Sequence, residues 1–208
     1  MASVYNLKPR FVAALRPTAA RLAKAGVSAN QVTLAAVLLS CAAGLLLALR
    51  PEVKFLWLLL PVFLFLRMVL NAIDGILARE HGMKSPLGAI LNELGDVVSD
   101  AALYLPFALL PMANGVWVVL AVVLAIISEM AGVVAVQIGA PRCYDGPMGK
   151  SDRALAFGCL GLLVGVGYDM AYWFDVVIIA MLVMLLFTIA NRCRSALHGI
   201  ALREMGSE

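Results

Sequence analysis

The chain has 208 residues, of which 63% are hydrophobic and 14% charged, with a formal net charge of +3. Soluble domains carry about a quarter of their residues as charges, so this composition excludes a soluble globular protein and leaves no room for a separate soluble domain. The positive balance sits in short polar segments between apolar runs, which suits anionic lipid and membrane topology; no nucleic-acid partner is expected.

Residues 5–24 alternate Leu7, Phe11, Val12, Leu15 and Leu22 with basic side chains, the pattern of an amphipathic helix lying in a membrane interface. Pro17 is expected to divide it. Ser28-Ala29-Asn30-Gln31 supplies an N-cap for the helix that follows. Six apolar runs then appear, over 32–49, 55–79, 87–110, 116–138, 153–168 and 172–191. They approach or exceed the roughly 20 residues that cross a bilayer as helix, and lipid leaves helix as the conformation open to them. The fold class is therefore all-α, a polytopic membrane protein of six transmembrane helices plus the N-terminal interfacial helix. Residues 1–30 form the interfacial segment, 31–195 the transmembrane domain and 196–208 a polar tail.

The longest polar stretch between spans is Gly139–Ser151, whose two prolines and three glycines mark turns. Lys150 and Arg153 at its end either meet phosphate or anchor the fifth span. No repeat of 20–50 residues is visible, which gives inverted-repeat transporters little support. Cys41, Cys143, Cys159 and Cys193 have no metal-ligand spacing and imply no disulfide framework. No cleavable signal is expected, because the first 30 residues lack a single apolar core. Trp and Tyr near span ends, Tyr104 excepted, read as interfacial belts, and His81 and His198 as solvated.

Basic residues set the orientation. Lys8, Arg10, Arg16, Arg21, Lys24, Arg79, Lys84, Arg142, Lys150, Arg153, Arg192, Arg194 and Arg203 fall on one side and only Arg50 and Lys54 on the other, thirteen against two with Arg67 set aside. Both termini are thus expected in the cytoplasm.

The chemistry concentrates between Asn71 and Asp100. Asn71, Asp74, Gly75 and Ala78 recur at i, i+3, i+4 and i+7, one face of the second span. On the third span Asn92, Glu93, Asp96, Ser99 and Asp100 share an arc of roughly 120° at about 100° per residue. Each carboxylate near the bilayer centre costs about 2.5–3.5 kcal/mol, so protons, divalent cations or Arg67 and Arg79 must offset them. Arginine pairing alone is not expected to satisfy so many acids, whereas hard cations with oxygen ligands suit the set. The short link from Arg79 to Gly88 makes the two spans an antiparallel hairpin, whose polar faces meet in a hollow open to the cytosol. Glu129, another intramembrane acid, is expected to pair with an arginine such as Arg67 rather than touch substrate.

Asn71-Ala-Ile-Asp74-Gly75-Ile-Leu-Ala78-Arg79, then eight residues to Gly88 and three each to Asn92 and Asp96, resembles the signature of the CDP-alcohol phosphotransferases. That signature is D-x2-D-G-x2-A-R, about eight residues, then G-x3-D-x3-D, and six of its eight fixed positions match. Gly26–Thr33 is also similar to the family's entry into its first span. Asn71 and Asn92 depart from the pattern, standing where the family usually has aspartates.

The resemblance implies an enzyme of phospholipid biosynthesis in the cytoplasmic (inner) membrane, its active site facing the cytosol. It would move a phosphoalcohol group, such as phosphatidyl, from a CDP-alcohol such as CDP-diacylglycerol to an acceptor alcohol and release CMP. It further implies two divalent ions, Mg²⁺ or Mn²⁺, and a homodimer. Carried onto this chain, Asp74, Asp96 and Asp100 would be the anionic metal ligands, with Asn71 and Asn92 adding neutral oxygens. Asp96 would be the general base and Asp100 the second candidate; Gly75, Ala78, Arg79 and Gly88 would face the nucleotide. The basic loop at Arg142, Lys150 and Arg153 favours an anionic acceptor. The two asparagines keep open a relative that binds CDP-lipid without turnover, and intramembrane acids keep open an ion-coupled transporter.

Overall fold

The computed structural model describes residues 7–205, with side chains for residues 10–201, and its regular elements are all helical. In chain order they are α1 (Leu7–Lys24), α2 (Ala29–Leu49), α3 (Lys54–Glu80), α4 (Pro86–Tyr104), a 3₁₀ turn (Leu105–Leu109), α5 (Gly115–Gln137), α6 (Lys150–Val166) and α7 (Phe174–Met205). Lys8 and Arg203 lie outside the described side chains.

Among the described residues, four helices are long and apolar enough to cross a membrane: α2, α3, α5 and Phe174–Ala201 of α7. The other two expected spans are helices as well, but of a different character. α4 is only 19 residues long and carries Glu93, Asp96 and Asp100. α6 has 17 residues and ends where Gly167 adopts a left-handed φ of 77°, a conformation with little cost for glycine. The expected run 87–110 is interrupted after Tyr104, where Pro106 removes a backbone donor and the chain tightens into the 3₁₀ turn. Pro17 does not divide α1, which runs continuously past it. The carbonyl that loses its partner belongs to Ala13, and both residues are exposed, so solvent takes the missing bond.

The chain divides into two compact units, one of Met1–Leu45 and Val62–Leu103, the other of Leu46–Pro61 and Tyr104–Glu208. In the first, Ala19 of α1 is buried with Ala29 and Val32 of α2 and Ile73, Ile76 and Leu77 of α3. Val12, Leu15 and Leu22 pack on the same cluster. Thus the apolar face of α1 lies against protein. Phe11 meets Phe65 edge-on at 6.3 Å between centroids, and the Arg16 guanidinium donates to both Glu80 oxygens at 3.0 and 3.1 Å. Ser28 caps α2 as its sequence suggests, with Gln31 completing a reciprocal box: Gln31 N–H donates to Ser28 Oγ, and Ser28 N–H to Gln31 Oε1.

The second unit is built on aromatic rings. Trp57, Phe107, Phe157 and Phe174 are buried together; Tyr104 stacks on Phe157 at 4.0 Å and Trp57 lies 4.6 Å from Phe107. Trp57 therefore belongs to a core rather than to an interfacial belt, and its indole N–H donates to the Pro51 carbonyl at 2.8 Å. Trp173 and Tyr172 remain exposed.

Gly44 shows how closely α2 and α4 approach: a Cβ there would lie 2.0 Å from the Ala102 carbonyl oxygen, a backbone atom that cannot swing aside. Gly44→Val is expected to destabilise the purified protein by about 1–3 kcal/mol, the usual cost of overpacking. A lowered thermal midpoint, set against the exposed-site control Leu45→Ala, checks this.

Candidate active site

The hairpin of α3 and α4 carries the site, and its local geometry follows from the sequence. Ser85 caps α4, its hydroxyl accepting from Gly88 N–H at 2.9 Å, and Pro86 occupies the first turn, where a missing N–H costs nothing. Asn30 at the start of α2 donates its amide to the same Ser85 hydroxyl at 3.4 Å. These contacts bring the beginnings of α2 and α4 beside the end of α3.

Between them lies a cavity of about 630 Å³, with Asn30, Thr33, Asp74, Arg79, Asn92 and Glu93 among its polar lining residues. Gly75, Ala78 and Gly88 complete stretches of the same wall. All four positions expected to face a nucleotide therefore open on one hollow. The glycines there are close to polar atoms: a Cβ at Gly75 would meet Arg79 Nη2 at 2.7 Å, and one at Gly88 would meet Asn30 Oδ1 at 2.7 Å. Asp74 is buried, with its Oδ2 accepting from the Thr33 hydroxyl at 2.8 Å.

The remaining acids turn elsewhere. Arg67, two turns before Asp74 on α3, is itself buried and forks across α4. One arm donates to Asp100 Oδ1; the other reaches Asp96 Oδ1 at 3.3 Å and the Asp96 carbonyl at 3.0 Å. Asn71, the next turn of α3, donates its amide to the same Asp96 Oδ1 at 3.0 Å. Asn71, Asp96 and Asp100 are absent from the cavity wall. The five expected metal ligands thus fall into two groups, Asp74 and Asn92 at the cavity and the other three around Arg67. One arginine, Arg67, engages two of the four acids.

Among the described residues no group of three or more His, Cys, Asp or Glu side chains is placed to hold a metal ion. The donors at the cavity are nevertheless hard oxygens: the Asp74 and Glu93 carboxylates, the Asn92 and Asn30 amides and the Thr33 and Ser85 hydroxyls. That chemistry fits Mg²⁺ or Mn²⁺, which keep water and substrate phosphate among their ligands. Glu93 is the cavity acid that the family signature alone does not single out; its place on the polar arc of α4 is the signal that finds it.

In the second unit Glu129 has arginine partners, but Arg67 is not one of them. Arg153, Arg192 and Arg142 approach its oxygens at 2.9, 3.4 and 3.6 Å. Arg153 and Arg192 are buried, and Arg153 also reaches the Ser128 hydroxyl and the Met148 carbonyl. Arg153 is therefore an internal structural cation of this unit. Lys150 begins α6, and His81 and His198 are exposed.

The α3–α4 hairpin thus sets two acids, Asp74 and Glu93, and the small residues Gly75, Ala78 and Gly88 around one hollow in a largely apolar chain. Residues 26–190 match the CDP-alcohol phosphatidyltransferase family, and the chain belongs to it. It is an enzyme of that class, a membrane phosphatidyltransferase. The inner membrane protein YnbA of Escherichia coli (strain K12) is 49% identical over 195 residues, covering 94% of this chain and 96% of that one. The fold is also that of phosphatidylinositol phosphate synthase (PgsA1) of Mycobacterium tuberculosis. Its structure with CDP-DAG bound matches at a TM-score of 0.73 and 19% identity, over 86% of this chain and 92% of the other. Its complex with manganese and citrate matches equally, over 86% and 87%.

Two substitutions check the geometry. Arg67→Met takes the guanidinium away from Asp96 and Asp100, and removing one partner of a buried ion pair costs about 3–5 kcal/mol; thermal unfolding in detergent should fall accordingly. Gly75→Val should displace the Arg79 guanidinium and weaken binding of a CDP-alcohol about tenfold, read by calorimetry, with the thermal midpoint nearly unchanged.

Proposed function

We propose that the chain transfers a phosphatidyl group from a CDP-alcohol, CDP-diacylglycerol being the lipid case, to an acceptor alcohol, with the hollow between α2, α3 and α4 as donor site. The observation that carries this reading is the convergence of Asp74, Gly75, Ala78, Arg79, Gly88 and Asn92 on one cavity. Support for the donor comes from the CDP-DAG bound to the similarly folded PgsA1, and for a divalent ion from the manganese in its second complex.

In this reading Arg79 neutralises donor phosphate, while Gly75, Ala78 and Gly88 leave room for the nucleotide. Asp74 and Asn92, with Glu93 beside them, hold Mg²⁺ or Mn²⁺. A divalent ion at such a site supplies Lewis-acid stabilisation of charge on the phosphates. The acceptor oxygen bonds to the β-phosphorus, the bond from that phosphorus to the bridging oxygen breaks, and CMP leaves with the bonding pair. The hydroxyl proton passes to Asp96, the general base. Asn71 and Arg67 fix the orientation of that carboxylate, and Asp100 acts as a positioning residue through its grip on Arg67. This reassigns the acid one turn deeper from alternative base to support.

The same reading makes the chain an integral inner-membrane protein, as the name of its Escherichia coli relative suggests. α4 and α6 join the four longer helices to give six spans. Both termini lie in the cytoplasm and the hollow opens there, and a homodimer is carried by the family resemblance alone. The expectation of an anionic acceptor loses support from Arg142 and Arg153, both of which approach Glu129.

Purified protein given CDP-diacylglycerol, Mg²⁺ or Mn²⁺ and a panel of acceptor alcohols should release CMP and yield a new lipid by mass spectrometry. Asp74→Asn and Asp96→Asn should each lower turnover at least a hundredfold, within the range general acid–base residues contribute. Full activity in either variant would refute the assignment.

A further inference from the structure

The two asparagines and Arg67 change how many cations the hairpin needs. Asp96 faces Asn71 across α3 and α4, and the amide N–H of Asn71 donates directly to Asp96 Oδ1 at 3.0 Å. An aspartate at position 71 could not do so while ionised, because a carboxylate only accepts. Two carboxylates so close require a cation between them, or one must take a proton. With asparagine the pair closes on itself. Arg67 then places a permanent positive charge beside the same Oδ1, bridging to Asp100 one turn along. Guanidinium stays charged even when buried, and its planar fork suits two carboxylates.

The donor count at the cavity points the same way. Asn92 contributes a neutral oxygen there, so Asp74 and Glu93 are the acids in the cavity wall. Two carboxylates balance one divalent ion, with Arg79 and Lys84 of the same wall left to donor phosphate. A second ion would need Asp96 and Asp100, whose Oδ1 atoms already accept from Arg67 and, at Asp96, from Asn71 as well.

We propose that this enzyme binds a single divalent cation, at Asp74, and that Arg67 serves at Asp96 and Asp100 as a built-in monovalent substitute for the second. The proposal rests on the divalent-metal reading above and revises the two ions implied by family resemblance to one. The wall donors Asn92 and Glu93 share that ion with donor phosphate.

Titration of the full-length protein in lipid nanodiscs with Mn²⁺, followed by the loss of the free-ion electron paramagnetic resonance signal, counts the sites without reference to activity. One ion per chain is expected for the wild type, and none for Asp74→Asn. Asn71→Asp should add a second ion, because it turns the self-closed pair into facing carboxylates. Two ions on the wild type would overturn the proposal while leaving the metal reading intact. No ion on the wild type would overturn the metal reading and this inference with it. Should Asn71→Asp fail to fold, the wild-type count still decides; a folded variant that stays at one ion would overturn the role assigned to Asn71.

Discussion

The fork of Arg67 across Asp96 and Asp100 is the contact on which the α3–α4 hairpin depends. An acid at the bilayer centre costs about 2.5–3.5 kcal/mol even on lenient scales, and α4 carries three within eight residues. The fork turns two of them into partners of α3 and ties the two helices together. The arm to Asp100 is shielded, since Arg67 and Asp100 are both buried, while Asp96 is partly exposed. Desolvated ion pairs are weak sources of stability but costly to break. The arrangement therefore fixes a register between two helices, so that Asp74 and Asn92 open on one hollow.

Around that register the chain separates tasks that one set of residues would otherwise share. The cavity face offers oxygen donors, an arginine and small side chains at Gly75, Ala78 and Gly88. The face around Arg67 offers a carboxylate held by two donors. Glu129 shows the same solution in the second unit, one acid among Arg142, Arg153 and Arg192. In both places a buried charge is matched by side chains from other segments rather than by solvent, as a low-dielectric surrounding demands.

Local signals in the sequence were sufficient for much of this. Ser28 with Gln31, and the helical spacing of Asn71, Asp74, Gly75 and Ala78, depend on residues within a turn or two of one another. Family spacing then located the four residues that line the cavity beside Asp74. Failures occurred where a side chain chose among distant partners. Arg67 was equally available to Glu129 or to α4, and only three-dimensional register sends it to Asp96 and Asp100. Arg153 read as a loop cation because nothing in its surroundings reveals Glu129, 24 residues earlier. Trp57 lies near the start of a span, as a belt residue would, yet Phe107 and the Pro51 carbonyl hold it in a core. Pro17 was given its usual disruptive weight, although the carbonyl it deprives is exposed.

Anomalous diffraction at the manganese edge, from crystals grown with Mn²⁺ and a CDP-alcohol, addresses the central claim most directly. One anomalous peak within ligand distance of Asp74, with Arg67 still bridging Asp96 and Asp100, is the predicted result. A peak between Asp96 and Asp100, with the Arg67 guanidinium displaced from both, would contradict the account.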